Sequence, residues 1–221
     1  MMFSKIARIP SIVKWFYPSW YIWDKKTGKK IIYLTFDDGP VPEVTDFVLD
    51  TLSRKRKKPI PATFFCIGDN VRKNPTIFKR ILKEGHSIGN HTFNHLKGTK
   101  TPLDIYIKNV QLANLEMAKH LDTTPKELST TLFRPPYGMF KKKQGKALKD
   151  LGYKIIMYRV VGYDWHVNVS AEDCYQNIIK NTKDGDIIVL HDSLKAAKNM
   201  EYALPKALRY FEKNGFVFEK L

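Results

Sequence analysis

Apolar and β-branched runs of five to seven residues alternate with longer amphipathic segments along most of the chain. This alternation is the pattern of a parallel sheet covered by helices, and it predicts an α/β fold. The runs are IIYLTF (31–36), ATFFCI (62–67), HSIGN (86–90), TLFRP (131–135), KIIMYRV (154–160), DIIVLH (186–191) and FVFEK (216–220), giving seven expected strands. Helix starts fall between them. Asn74-Pro75 predicts an N-cap with proline at the first helical position, Thr101-Pro102 repeats the device with Asp104 close behind, and Ser170 predicts a cap followed by Glu172 and Asp173. There is no internal repeat and no low-complexity linker.

Composition narrows the choices. With 221 residues, 43% of them hydrophobic, the chain can fill one core and is expected to form one large domain. A net charge of +16 favours anionic partners. The densest basic stretch, RKRKK at 54–58, follows an amphipathic segment and reads as a solvated helix end. No aromatic residues interleave with the cations and no nucleic-acid motif is present, so nucleic acid is not the expected partner. Peripheral contact with an anionic cell envelope would suit the charge. Cys66 and Cys174 are too few and too far apart for a disulfide scaffold or a cysteine-based zinc site.

Residues 1–29 are basic and aromatic, but Lys5, Arg8, Pro10 and Lys14 interrupt every apolar run before it reaches signal-peptide length, and no segment is long enough to span a bilayer. The extension is therefore expected to pack as a strap on a main domain at 30–221, with a membrane-surface position as the alternative. A cytoplasmic or envelope-peripheral location follows.

Chemistry enters at LTFDDGP. Asp37 and Asp38 repel one another when both are ionised, and either a bound cation or a solvated Asp-Gly-Pro turn would offset that. His91 and His95 in HTFNH share a face at their spacing, and with Asp38 they make a two-imidazole, one-carboxylate set suited to a divalent ion with open positions. Arg134, Asp164 and His191 also lie just past the ends of expected strands, where parallel barrels gather their active sites. One shared site accounts for all of these residues, whereas the turn reading explains only one pair. Alternation along a strand would point Asp37 and Asp38 to opposite faces, so the backbone must already be turning there, as Gly39-Pro40 permits.

TFDDGP, HTFNH, RPPYG, YDWH and IIVLHD resemble, in order, the motifs of the NodB-homology polysaccharide deacetylases, carbohydrate esterase family 4, from about residue 30 to the C-terminus. The resemblance implies a distorted (β/α)7 TIM-like barrel and a metal-dependent hydrolase that removes N-acetyl groups from N-acetylglucosamine units of peptidoglycan or a chitin-like oligosaccharide. It implies a divalent ion, Zn2+ first with Co2+, Ni2+ or Fe2+ as alternatives, held by Asp38, His91 and His95. By the same resemblance Asp37 is the general base oriented by Arg134, His191 the general acid stabilised by Asp164, and the backbone N–H of Tyr137 an oxyanion donor. Trp165 and Leu190 would wall the acetyl pocket, unless they are ordinary core residues. Two other readings stand beside this one: an O-acetyl esterase acting on glycans such as xylan, and a non-catalytic polysaccharide-binding barrel. His86, His120 and His166 fit no role and are expected at the surface or behind the site. Asp192 is equally a cap or a substrate contact, while Asn90 and Thr92 could support the ligands.

Overall fold

The computed structural model describes residues 6–54, 59–121 and 132–221. Lys55–Lys58 of the basic stretch, Thr131 of the fourth expected strand and Lys5 of the extension lie outside the described residues. Nine strands are present in the described residues: β1 Tyr21–Ile22, β2 Ile31–Asp37, β3 Thr63–Cys66, β4 Ser87–Asn90, β5 Leu132–Phe133, β6 Lys154–Ile156, β7 Val160–Val161, β8 Ile187–His191 and β9 Val217–Glu219. The order is β1-β6-β5-β4-β3-β2-β8-β7, with β9 beside the start of β2, and every pairing is parallel. The helices are α1 Val44–Ser53, α2 Gly68–Lys73, α3 Pro75–Lys83, α4 Leu103–Ala118, α5 Lys142–Asp150, α6 Ala171–Asn181 and α7 Ala197–Lys213.

All seven expected strands have counterparts, but the run KIIMYRV is split into β6 and β7. Its two halves serve opposite ends of the sheet: Met157 N–H donates to Ile22 O at 2.7 Å, and Arg159 N–H donates to Ile187 O at 2.9 Å. In a flat sheet β6 and β7 would lie six strand spacings apart, about 29 Å. The chain from Ile156 to Val160 reaches at most ~15 Å. The sheet therefore has to curl until its ends approach, which makes a parallel half-barrel rather than an open doubly wound sheet.

Residue alternation sorts the core. Ile32, Leu34 and Phe36 of β2 join the cluster beneath α1, α3, α6 and α7, which includes Val48, Phe78, Ile178 and Leu204. Ile31 and Tyr33 point the other way and meet Phe65, Ile156 and Ile187 inside the curl. All seven residues of β2 are buried, as a central parallel strand requires. A third cluster joins Tyr21 and Trp23 of the extension to Tyr106, Phe133, Leu148 and Ile155. The extension also donates from Ile9 N–H to Arg159 O at 2.8 Å and pairs Arg8 with Asp186 across the β6–β7 junction. No helix in the described residues is long and apolar enough to cross a membrane.

The helix starts obey the expectation in part. Ser170 caps α6, accepting from Asp173 N–H at 3.0 Å. Asn74 does not cap with its side chain; its amide instead donates to Pro40 O at 3.0 Å and Asn70 O at 3.2 Å. Thr101 stands one residue before the N-cap position, which Pro102 occupies.

Candidate active site

Asp37 ends β2 on the interior face, beyond Tyr33 and Thr35, and is 3% exposed. Asp38 has φ 87°, so the chain leaves the strand at that residue and both carboxylates face one cavity of about 500 Å³. The turn is held from three sides. Asn70 Nδ2 donates to Asp38 O at 2.7 Å, Asn74 reaches Pro40 O, and Gly39 N–H donates to the buried Asp192 Oδ1 at 2.9 Å. Thr45 Oγ1 completes the support by donating to Asp192 Oδ2 at 2.7 Å. Burial pushes the Asp192 carboxyl up to about 8.

His91 and His95 follow β4. Thr92 N–H donates to Asn90 Oδ1 at 2.8 Å, and the Asn90 amide donates to Val110 O at 2.9 Å and Asn114 Oδ1 at 2.5 Å, which ties the loop to α4. Among the described residues seven non-glycine positions have positive φ, and Asp38, Thr92, His95, Tyr137 and Tyr163 are five of them, so backbone strain concentrates at this mouth.

His91 Nδ1 lies 2.7 Å from Arg134 O, an acceptor only, so Nδ1 carries the proton and Nε2 turns its lone pair to the cavity. Asp38 Oδ1 is 3.7 Å from His91 Nε2 and 3.3 Å from His95 Nε2. Burial holds His91 down to about 4 and lowers His95 as well, which keeps both imidazoles neutral. Burial works against the Asp38 charge, but the charged His191, the largest opposing contribution, outweighs it and helps hold the carboxyl below its usual range. Asp38 Oδ1 is buried with no hydrogen-bond partner among the described residues. Two neutral imidazoles and one ionised carboxylate whose Oδ1 is the orphaned acceptor, with ligand atoms within 4.8 Å of one another, fit a divalent cation.

Two pairs flank this group. The buried Arg134 donates from Nη1 to Asp37 Oδ1 at 2.6 Å and to Thr35 Oγ1 at 2.7 Å. Its other nitrogens donate to Met157 O at 3.1 Å and Ile156 O at 3.4 Å, so the same guanidinium satisfies carbonyls where the chain crosses between sheet ends. On the opposite side Asp164 Oδ1 lies 3.0 Å from His191 Nδ1. Burial would lower His191, yet Asp164 overcomes this and carries it up to about 9. Trp165 packs its ring edge-on to His191 at 4.4 Å, and Tyr137 sits over His95 at 4.7 Å.

The structure thus brings Asp37, Asp38, His91, His95, Tyr137, Trp165 and His191 to one cavity, with Arg134 and Asp164 directly behind it. Leu190 does not join them. It precedes His191 on β8, so alternation turns it to the helix side, where it is 1% exposed among Phe36 and its neighbours. His86 is neither at the surface nor behind the site: it is buried beside Phe64 and accepts from Ala62 N–H at 3.3 Å. Sequence reading took Asn74 only for a helix cap and passed over Thr35, Thr45, Asn70 and Asn199, the last of which donates to Asp164 O at 3.1 Å and Val169 O at 2.8 Å. Only Thr35 carries a local signal, as a polar residue inside the apolar run 31–36.

The curled parallel sheet and the paired acid–base groups around a cation-ligand set define an α/β half-barrel hydrolase. The family "Polysaccharide deacetylase" matches residues 24–156, more than half of the chain, and the chain belongs to it, among the NodB-homology hydrolases of carbohydrate esterase family 4. It is 36% identical over 208 residues to a peptidoglycan-N-acetylglucosamine deacetylase of Bacillus cereus, covering 91% of each chain. It is 33% identical over 207 residues to the peptidoglycan-N-acetylmuramic acid deacetylase PdaA of Bacillus subtilis, covering 93% of this chain and 74% of that one. The crystal structure of the Bc1960 peptidoglycan N-acetylglucosamine deacetylase superposes with TM-score 0.84 at 31% identity, over 96% of this chain and 95% of the other.

Proposed function

We propose that this hydrolase is metal-dependent and removes N-acetyl groups from N-acetylglucosamine units of a peptidoglycan-type polysaccharide. The observation that carries the reading is the pair of oppositely prepared groups on either side of Asp38: a carboxylate held by Arg134, and an imidazole that Asp164 holds protonated.

Amide hydrolysis needs an activated water, a stabilised oxyanion and a proton for the departing nitrogen. Asp38, His91 and His95 would hold the divalent ion, with zinc favoured by the ligand set, and the bound ion would supply Lewis acidity toward water and the acetyl carbonyl. Asp37 takes the proton of the attacking water at Oδ2, because Oδ1 is engaged by Arg134. The backbone N–H of Tyr137 contributes an oxyanion donor, and Trp165 walls the acetyl group. His191 gives its Nε2 proton to the leaving nitrogen while Asp164 retains Nδ1. An amine leaves poorly unless protonated, whereas an alcohol leaving an ester needs less assistance. An imidazole held charged at neutral pH therefore supports the amide reading over O-acetyl ester cleavage.

The test is acetate release from peptidoglycan, chitin oligomers and acetylated xylan, with zinc, with chelator, and with Asp37→Asn. Release from the N-acetylated polymers that requires both ion and Asp37 is expected. Release from xylan alone would establish the esterase instead, and no release from any of the three would leave a binding barrel.

A further inference from the structure

Beyond Trp165 the catalytic cavity opens into a second one of about 490 Å³, with room for a single hexose residue. The two share Trp165 and Lys195, so a polymer threaded through the first continues into the second. The floor of the second cavity comes from residues 164–171 and the wall from Lys195, Lys198 and Asn199. Its one lining carboxylate, Asp164, is 1% exposed and already committed to His191. Asn199 is likewise committed to two carbonyls. Ser170 is committed to Asp173, so the polar residues left to the cavity are Lys195, Lys198, the exposed Asn168 and His166, whose Nδ1 accepts from Asn168 N–H, beside the apolar Val167, which is 86% exposed.

The placement of these lysines is costly for the fold. Lys195 stands just before the N-cap of α7 and Lys198 in its first turn, three residues apart in sequence. They also lie at the helix end where the macrodipole disfavours cations, and the first turn of α7 contains no acidic residue. Among the described residues neither has a carboxylate within salt-bridge distance, although Arg8, Lys14, Arg80, Lys146 and other cations of this chain do. Many cations among the described residues of this +16 chain are unpaired, but these two line a cavity at the helix end that disfavours them, and locally unfavourable residues beside a site point to a ligand.

We propose that this second cavity is a subsite for a carboxylate-bearing sugar of the polymer, with Lys195 and Lys198 as its charge partners and Val167 as its apolar edge. The proposal rests on the deacetylase reading and narrows it. The preferred substrate alternates the N-acetylglucosamine residue that is cut with an acidic neighbour, as peptidoglycan does through its lactyl ether or the peptide attached to it, and a neutral chitin chain fills the subsite without engaging the lysines.

The test compares kcat/KM on chitotetraose with that on tetrasaccharides whose alternate residues carry a free lactyl carboxylate, a lactyl group amidated by a peptide ending in a carboxylate, or a neutral lactyl amide. Wild type should prefer the two charged forms over the neutral amide, and the preference should weaken as salt rises. Lys195→Gln with Lys198→Gln should reduce that ratio about tenfold, and Lys198→Glu should invert it. The two charged arms identify which carboxylate the subsite reads. Calorimetric binding of the same sugars to Asp37→Asn supplies a readout independent of turnover. If wild type cleaves the sugars but the charged-to-neutral ratio is the same in the lysine variants, the subsite is refuted and the deacetylase reading stands. If nothing is cleaved, the deacetylase reading fails, and the binding ratio alone upholds or refutes the subsite.

Discussion

Asp164 grips His191 at two points: Oδ1 lies 3.0 Å from the ring Nδ1, and Oδ2 accepts the backbone N–H of the same residue at 2.6 Å. One carboxylate thus sets both the position and the charge of the imidazole. His191 stands at about 9 in the folded chain against an ordinary value of 6.5. Its contribution to stability is therefore complete below pH 6.5 and is lost as pH rises through about 9. Asp164→Asn removes the largest opposing contribution and leaves only Asp38 and Asp37 against burial, so the imidazole should titrate well below about 9. The alkaline limb of kcat should move down by roughly two pH units, with a loss of about fourfold at pH 7.5 that grows toward about 100-fold above pH 9. NMR titration of the His191 ring, beside a pH–rate profile, would reveal this; an unmoved alkaline limb would exclude His191 as the acid.

Arg134 links catalysis to closure of the sheet, because it holds Asp37 and also the carbonyls of Ile156 and Met157. Removing it leaves Asp37 buried without its partner. Arg134→Ala should cost about 3–5 kcal/mol in urea unfolding and abolish acetate release. Arg134→Lys keeps the charge but cannot bridge both sides, so it should recover part of the stability and little of the activity. Equal recovery of both would show that charge alone suffices.

Gly39 packs so closely on Asp192 that a Cβ would collide with the carboxylate. Gly39→Ala should displace the turn that aims Asp38 and weaken zinc binding at least tenfold by calorimetry. Shortening the obstacle in Gly39→Ala/Asp192→Ala should restore part of that affinity. No change in zinc binding for the single variant would mean that the turn does not position the ligand.

Leu190 offers a contrast with its neighbour His191. Buried on the helix side, it should act on the core alone: Leu190→Ala should lower stability by about 2–5 kcal/mol while the relative rates on N-acetyl and larger N-acyl substrates stay as in wild type. A selective gain on larger acyl groups would place it at the acyl pocket after all.

The cation-ligand set was legible in the sequence because its chemistry is local. Asp37 and Asp38 are consecutive, His91 and His95 are four residues apart in one loop, and Gly39-Pro40 announces the change of direction that Asp38 makes at φ 87°. The support behind them was not legible. Asp192 acts on Gly39 across 153 residues of sequence and Thr45 acts through Asp192, contacts that sequence adjacency does not suggest, and Asn74 looked like a cap although its side chain serves Pro40 O rather than its own helix. Leu190 was assigned to the pocket because it adjoins His191, although strand alternation opposes the two.

Sequence alone determined the parallel α/β class, the strand positions and the motif residues, since hydrophobic period and residue chemistry are properties of short segments. Tertiary structure decided how the sheet curls. The split of KIIMYRV follows from pairing with Ile22 at one end and Ile187 at the other, which no periodicity records. It also decided which groups carry charge: burial keeps His91 and His95 neutral while the neighbouring carboxylate of Asp164 keeps His191 protonated. Three histidines of identical intrinsic chemistry are thereby given opposite tasks by desolvation and by the partners the fold brings to them.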